Sequence, residues 1–558
     1  MHRRALAVAV AVAALAALAA LAACHGGEVA PDAGPTDDAA VALVDAARPP
    51  DPPVGCPVEA ERPGVCPGRG LYSADLAVEI RAAYPTIHYT LDGSVPTTAS
   101  PRYDRPIAIV ADRGAVTLRT MATDGTETTR VATHTYVFPA RVAEQPVLPA
   151  GFPPQWSGAE GTIAGDYAMD PRVATSTTTF AALPVMSLVL EPSALFDPTT
   201  GIYVNAENEG PAWERPASVE LLGEWQIDGG LRVQGGSSTT SWKSPKLSLR
   251  VAFRGDYEGD LHAAPFAGGT TRFDGLVLDA HLNLTWTHPD HAQRVRSQYV
   301  RDAYVADLQR LVGGVAPRSR FVHLFVSGLY WGVYDLHERP DEDFAASYLG
   351  GAPAEWDVHK HLGANIVAGD GVAWRAMMTI VRGGLASDAA YAALGPYLDV
   401  DDFIAYMLVN IWTGNEDWPL HNWYALRRRV PEGRFRFVSW DAEHVLKEPT
   451  VNVTGVSAAD GPGELWQALL ANPTFRARVS ARAAELLPLF EASLPLYQAR
   501  ADEVAPAIPW ESARWGDSRR PADPYGIEEW TAERQRLTDV WFPMRGAIVR
   551  AQLAARGL

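Results

Sequence analysis

The chain has 558 residues, with 48 Lys and Arg against 66 Asp and Glu and a net charge of −18. That balance excludes nucleic acid as the natural partner, because such binding draws on clustered Lys and Arg. The length points to several domains, and an apolar content of 47% with 17 Trp belongs to a chain that folds around large cores.

Met1 to Cys24 reads as an export signal. His2, Arg3 and Arg4 make a basic start, an uncharged Ala/Val/Leu run follows, and Leu21-Ala22-Ala23-Cys24 closes it. Small residues before a lone Cys are the pattern of a bacterial lipobox. Residues 1–23 are therefore expected to be a lipoprotein signal peptide, with a lipid on the Cys24 sulfur. The alternative is an uncleaved membrane helix, since about 20 apolar residues span a bilayer. The expected location is the cell envelope, lipid-anchored after export and facing the periplasm or the cell surface. Loss of Arg3 and Arg4 takes the charge to −20.

Residues 24–60 are rich in Ala, Pro, Asp and Gly without periodicity, which predicts a disordered tether. In an oxidising compartment, Cys56 and Cys66 are expected to form a local disulfide.

From 61 to 138 the pattern turns β. "LAVEIRA", "TIHYTLDG", "PIAIVA" and "AVTLRTMATDG" alternate apolar and polar residues between turn formers, predicting a small antiparallel sandwich. "IHYTLDGSVPTTASPRYDRPIAI" with "THTYVF" resembles the chitobiase/β-hexosaminidase C-terminal-type module, an immunoglobulin-like sandwich. Tyr89, Asp92, Pro96 and Tyr103 stand at its signature positions. The expected roles are core for both Tyr and a turn at Asp92-Gly93, with polysaccharide contact as the alternative. Residues 139–182, with Pro, Gly, Thr and Ser clusters, read as a linker or a strap over a surface.

A large second unit spans 183–558. "VMSLVL", "ASVELL", "GLRVQG", "PKLSLRVAF", "FDGLVLDA", "RFVHLFVSGLYWGVYDL" and "RFRFVSW" are strand candidates. Helices are expected over 294–311 and 401–412, the second capped by Asp399 or Asp401. From about residue 462 the chain carries amphipathic helical stripes. The predicted class is multidomain: an all-β sandwich followed by an α+β unit of two lobes with a helical C-terminal part.

The chemistry concentrates in "GNEDWPLHNWYALRRRVPEGRFRFVSWDAEHVL". Asp417 and Asn422 follow the predicted 401–412 helix in the spacing D-x-x-x-x-N. A hairpin turning at Pro431–Gly433 comes next, then Asp441. Phosphoryl transfer needs hard oxygen ligands for metal, a carboxylate near the acceptor hydroxyl and a cation on the phosphates. The order helix, D-x-x-x-x-N, hairpin, Asp is the order used in protein kinases. No His-Arg precedes Asp417, no Phe-Gly follows Asp441, and there is no Walker-type loop, so an ordinary protein kinase is not expected. Only four lysines exist, Lys243, Lys246, Lys360 and Lys447. Lys246, in a predicted strand after the Gly/Ser-rich "QGGSSTTSW", is the best placed, with Lys243 a near alternative.

Several long stretches in order resemble the CotH kinase family of atypical kinases. These include "RVQGGSSTTSWKSPKLSLRVAFRGDY", "FDGLVLDAHLNLTW", "GLYWGVYDLHERPDEDF", "GNEDWPLHNWYALRR" and "FRFVSWDAEHVL". The resemblance implies a divergent protein-kinase-like fold that binds ATP with Mg or Mn. It makes Asp417 the catalytic acid and Asn422 and Asp441 the metal ligands. It also assigns Lys246, Lys243, Arg232 and Glu338 to the cofactor. Trp242 and Pro245 replace a Lys and a Tyr of the family motif, which leaves open whether Lys246, Lys243 or Arg250 meets the phosphates.

The function expected is transfer of phosphate from ATP to Ser or Thr of envelope proteins. One alternative is a non-catalytic scaffold or glycan-binding lipoprotein. A second is a metal-dependent phosphohydrolase using Asp417, Asp441, His421 and His444. Glu511 and Arg514 of "WESARWGD", at i and i+3, are expected to pair with each other.

Overall fold

The computed structural model describes residues 56, 58, 61–158, 161–240, 242–361 and 365–558. The expected export signal, the lipid site expected at Cys24 and most of the expected tether lie outside the described residues. Among the described residues, no helix is long and apolar enough to cross a membrane.

The first unit is two antiparallel-rich sheets face to face. One joins Gly64–Cys66, Leu76–Arg81 and Ile107–Ile109; the other joins Gly70–Leu71, Ala132–Val137, Ala115–Thr123 and Thr86–Thr90. Val65, Val78, Ile80, Ile107, Leu118 and Tyr136 fill the space between them, with Tyr89 and Tyr103 packed at its margin. Asp92 Oδ1 accepts the Ser94 N–H at 3.0 Å, and Gly93 turns with φ 80°. Asp92 and the two Tyr thus serve turn and core. Cys56 and Cys66 are disulfide-bonded.

Every residue of Ala132–Val137 is buried, on both faces. The outer face meets the second unit. Glu220 there accepts the Thr135 N–H at 3.2 Å and pairs with Arg69 at 3.1 Å. Thr135 and Ser187 hydroxyls lie 2.9 Å apart across the same joint.

The stretch 139–182 is a packed strap, not a spacer. Phe152 and Tyr167 belong to the core of the second unit, and Phe180 stacks on His323 at 4.2 Å. These anchors are scattered singly among Pro and Gly, so no period announces them.

The six strand candidates between 185 and 337 become seven strands of one closed barrel. Its order is Val185–Val189, Arg215–Leu221, Trp225–Gln234, Ser248–Ala252, Gly275–Asp279, Leu329–His337, Ser319–Val326. Closure comes from parallel pairing of Val185–Val189 with Ser319–Val326. A closed sheet has no free edge, and its inward side chains, such as Leu188, Leu231, Leu249, Leu278 and Leu336, make a single core.

Beyond the barrel, Asn365–Ala368, Trp356–Lys360, Trp423–Arg428 and Arg436–Ser439 form a four-stranded sheet. The turn at 431–433 joins the last two, as their sequence predicts, with Trp423 opposite Ser439. The Val400–Thr413 helix packs against this sheet and is buried almost all round, with Asp399 as its cap. The C-terminal part is helical from Pro462 onward. The helix expected over 294–311 is interrupted. His291–Arg294 and Arg301–Leu311 are separate because Tyr299 takes φ 64° to bury its ring against Trp286.

The Ile508–Trp515 helix is tied to the barrel floor by a buried ion pair. Lys246 Nζ lies 2.7 Å from Glu511 Oε1 and donates to the Val333 carbonyl at 2.6 Å. Glu511 Oε2 accepts the Val333 N–H at 2.8 Å. The expected Glu511–Arg514 pair does not form; Arg514 instead lies over the Trp515 ring at 3.8 Å, with Asp166 its nearest acid at 3.7 Å. Removing one partner of a fully buried pair strands the other charge. Glu511→Ala is therefore expected to destabilise the protein by about 3–5 kcal/mol. Urea unfolding followed by Trp fluorescence measures this, and the joint change Lys246→Met, Glu511→Leu should recover most of the loss.

Candidate functional site

A cleft of about 820 Å³ opens between the barrel and the four-stranded sheet. The barrel side contributes the Gln234–Ser238 turn, Ser248, Arg250 and Asp279. The opposite wall contributes Lys360, His361, Asp417, His421, Asn422, Asp441 and Glu443.

The Asp417 loop is fixed at both ends. The Val400–Thr413 helix stops at Gly414, whose φ of 64° is the left-handed turn that ends many helices. Arg545, fully buried, donates to the Trp412 and Val451 carbonyls at 2.7 Å each, placing a cation on the helix C-terminus. Glu416 N–H then bonds the His444 carbonyl at 3.1 Å, and Leu446 N–H bonds the Thr413 carbonyl at 2.9 Å. The Asp417 and Asp441 loops are therefore laced together.

Asn422 joins the two acids directly. Its Nδ2 donates to Asp417 Oδ2 and to the Asp441 carbonyl, each at 3.2 Å. Its backbone N–H is accepted by His361 Nδ1 at 3.1 Å, which fixes the ring; burial pushes the His361 pKa down to about 4. Asn422 and Asp441 have φ of 62° and 52°. Such conformations cost roughly 1–3 kcal/mol each and gather where function requires a set geometry.

Carboxylates crowd the floor. Burial raises the Asp441 pKa well above its ordinary value, and the negative charges of Glu443, Asp279, Asp302 and Asp417 raise it further. Burial also raises Asp302, which accepts the Ala442 N–H at 2.7 Å, and Glu443. Asp279 is the exception. Burial opposes its ionisation, yet His281 beside it holds the carboxyl well below the usual range. His281 Nδ1 stands 3.3 Å from Asp279 and 3.2 Å from Glu443, and these three residues are close enough to enclose an ion.

The sequence-predicted residues divide cleanly. Asp417, Asn422 and Asp441 are brought together. Lys246, Lys243, Arg232 and Glu338 are not among the residues that line the cleft. Lys246 is consumed by Glu511 beneath the barrel. Lys243 lies 5.7 Å over the Trp242 ring, and Arg232 pairs with Glu214 at 3.0 Å. Glu338 accepts from Tyr348 and from the Arg318 N–H, closing a strand end. His421 lines the cleft and His444 does not, so the four-residue His/carboxylate set is not assembled there.

The cleft cations are instead Arg250, Arg339 and Lys360. Arg339 pairs with Asp341 at 3.3 Å. Arg250 makes no ion pair among the described residues, and its Nε is buried without a partner. Strand parity was the available signal, since Ser248 and Arg250 share one face with Lys246. The strand Trp356–Lys360, which delivers Lys360, alternates Trp356, Asp357, Val358 and His359, but is too short to mark a strand by itself.

A family model described as CotH kinase protein matches residues 231–541, more than half of the chain. The chain belongs to the CotH kinase protein family. A second model, described as Fn3 associated, matches residues 78–136, within the stretch that resembles the chitobiase-type module. No curated protein matches the chain. The CotH match takes in four of the barrel strands and the end of a fifth, most of the cleft lining and both acidic loops.

The residues present fit a hard divalent cation, because Asp441 and the Asn422 amide offer oxygen ligands on a floor where neighbouring carboxylates repel the Asp441 charge. Removing that repulsion should stabilise the empty site. Asp441→Asn is expected to raise the thermal midpoint of the metal-free protein at pH 7.5 by a few degrees. It should also abolish the further rise that Mn²⁺ gives the wild type, both read by differential scanning fluorimetry.

Proposed function

We propose that this CotH domain transfers a phosphoryl group from ATP to a Ser or Thr hydroxyl of cell-envelope proteins. The observation that carries the reading is the Asn422 amide, which holds the Asp417 carboxylate and the Asp441 loop at one edge of a cleft with an unpaired arginine on its far wall.

Asp417 is largely exposed at the cleft edge, where an acceptor hydroxyl arrives. It orients that hydroxyl and takes its proton. The hydroxyl oxygen forms its bond to the γ-phosphorus as the bond to the bridging oxygen breaks, and ADP leaves. Asp441 and Asn422 would hold Mg or Mn, which when bound neutralises charge on the transferring group. Arg250 supplies the phosphate contact that the buried Lys246 does not. Its planar fork suits bidentate bonding to phosphate oxygens. The Gln234–Ser238 turn lies along the same side, and no side chain stands within 4 Å of a Cβ built on Gly236.

The acceptor and the location follow from the export signal and the lipobox at Cys24. The protein would act on envelope partners while anchored to the membrane. The sandwich serves as a brace, since its Ala132–Val137 strand is buried against the barrel.

Purified protein incubated with labelled ATP, Mn²⁺ and an envelope extract should label protein. Asp417→Ala should lower kcat by roughly 10²–10⁴-fold, the usual worth of a positioned acid–base group. Arg250→Ala should raise the KM for ATP about tenfold or more, as loss of a charged hydrogen bond implies. Failure of the wild type to bind or use any nucleotide contradicts the reading, and release of phosphate to water alone points to hydrolysis.

A further inference from the structure

Glu443 stands two residues after Asp441, lines the same cleft and is 4% exposed. Its carboxylate is already filled by protein donors. Oε1 accepts the Leu282 N–H at 2.9 Å and faces His281 Nδ1 at 3.2 Å. Oε2 accepts the Asn283 N–H at 2.9 Å and Asn283 Nδ2 at 2.7 Å. His281 Nδ1 faces a second acceptor, Asp279 Oδ2, at 3.3 Å. With acceptors on both sides, Nδ1 carries the hydrogen. Asp279 Oδ1 in turn accepts the Ser248 hydroxyl at 2.7 Å and the His281 N–H at 2.8 Å.

By spacing alone, Asp279, His281 and Glu443 could enclose a cation. A cation there would displace donors from both carboxylates. The same bonds have another consequence. They run from the barrel strands carrying Ser248 and Asp279, through the turn at 281–283, to the loop that presents Asp441. Both turns are held against local preference, with φ of 54° at His281 and 52° at Asp441. Conformations of this kind persist only when surrounding contacts over-determine them.

We propose that Glu443 and His281 are positioning residues, a latch that fixes the Asp441 loop to the barrel and so sets where the Asp441 carboxylate meets its metal. Neither is a ligand. The catalytic consequence rests on the reading of the cleft as a phosphoryl-transfer site; the metal-binding consequence does not.

The test uses the full chain and Mn²⁺ alone. Pulsed electron paramagnetic resonance of bound Mn²⁺ should show no imidazole-nitrogen modulation. Glu443→Gln and His281→Gln should each weaken Mn²⁺ binding about 10–100-fold, the usual effect of removing a group that orients a ligand. The number of bound ions at saturation should stay the same, and Glu443→Asp should restore part of the affinity. In transfer assays, saturating Mn²⁺ should return most of the lost kcat, so the defect falls on the metal requirement. Imidazole modulation that disappears in His281→Gln overturns the proposal by making His281 a ligand. Wild-type affinity in both Gln variants overturns it too, as does a wild type that binds no Mn²⁺. Because the spectra read metal binding directly, absence of phosphoryl transfer would fail the broader reading while leaving the latch supported or refuted on its own terms. Circular dichroism of each variant confirms folding, and two variants on opposite sides of the latch guard against one that does not fold.

Discussion

Like-charge repulsion at the cleft floor is the constraint from which the rest of the architecture follows. Asp279, Asp302, Asp417 and Glu443 all bear on Asp441, whose own charge burial already penalises. A chain that only maximised stability would not gather them. Interaction between carboxylates in a low-dielectric site is unfavourable unless a cation or a proton intervenes. The protein supplies one local answer in His281, which sits between Asp279 and Glu443. It leaves Asp441 and Asn422 facing the cleft, where a divalent cation is the natural complement.

Holding such a cluster requires rigid supports on every side, and these account for much of what is buried. The barrel has no free edge and fixes Ser248 and Asp279. Arg545 and Gly414 end the central helix where the Asp417 loop must begin. Gln309, buried on the Arg301–Leu311 helix, bonds both the Phe437 carbonyl and the Ser439 N–H, just before Asp441. Lys246 and Glu511 brace the barrel floor from below. The lysine that looks like a ligand contact is thus a structural tie, and Arg250, four residues further along, is a cation that lines the cleft.

How much of this could be read from sequence depends on the range of the contact. The strands announced themselves because short apolar runs such as "VMSLVL" or "FDGLVLDA", bounded by turn and polar residues, are what a strand covered on both faces requires. The hairpin before Asp441 was legible because Pro-Glu-Gly between two apolar runs permits little else. The acids at 417 and 441 and the amide at 422 were legible as a spacing joined to an order of elements. The barrel's closure was not, since parallel pairing of the first and last regions leaves no local mark. The fate of Lys246 was equally hidden, because its partner Glu511 lies 265 residues away. Glu443 and His281 were hidden for a similar reason. Glu443 adjoins a named acid, but its four donors come from a turn some 160 residues earlier.

Equilibrium binding of nucleotide and metal to the same protein bears on the central claim most directly. If Asp441, Asn422 and Arg250 form one phosphoryl-transfer site, ATP and Mn²⁺ must share it, and each must tighten the other by the same factor. Calorimetric titration of a non-hydrolysable ATP analogue with and without Mn²⁺ should show at least a tenfold gain in affinity, about 1.4 kcal/mol of coupling. The reciprocal titration of Mn²⁺ should show the same gain. Affinities that are independent of one another, or an analogue that does not bind at all, would contradict the account.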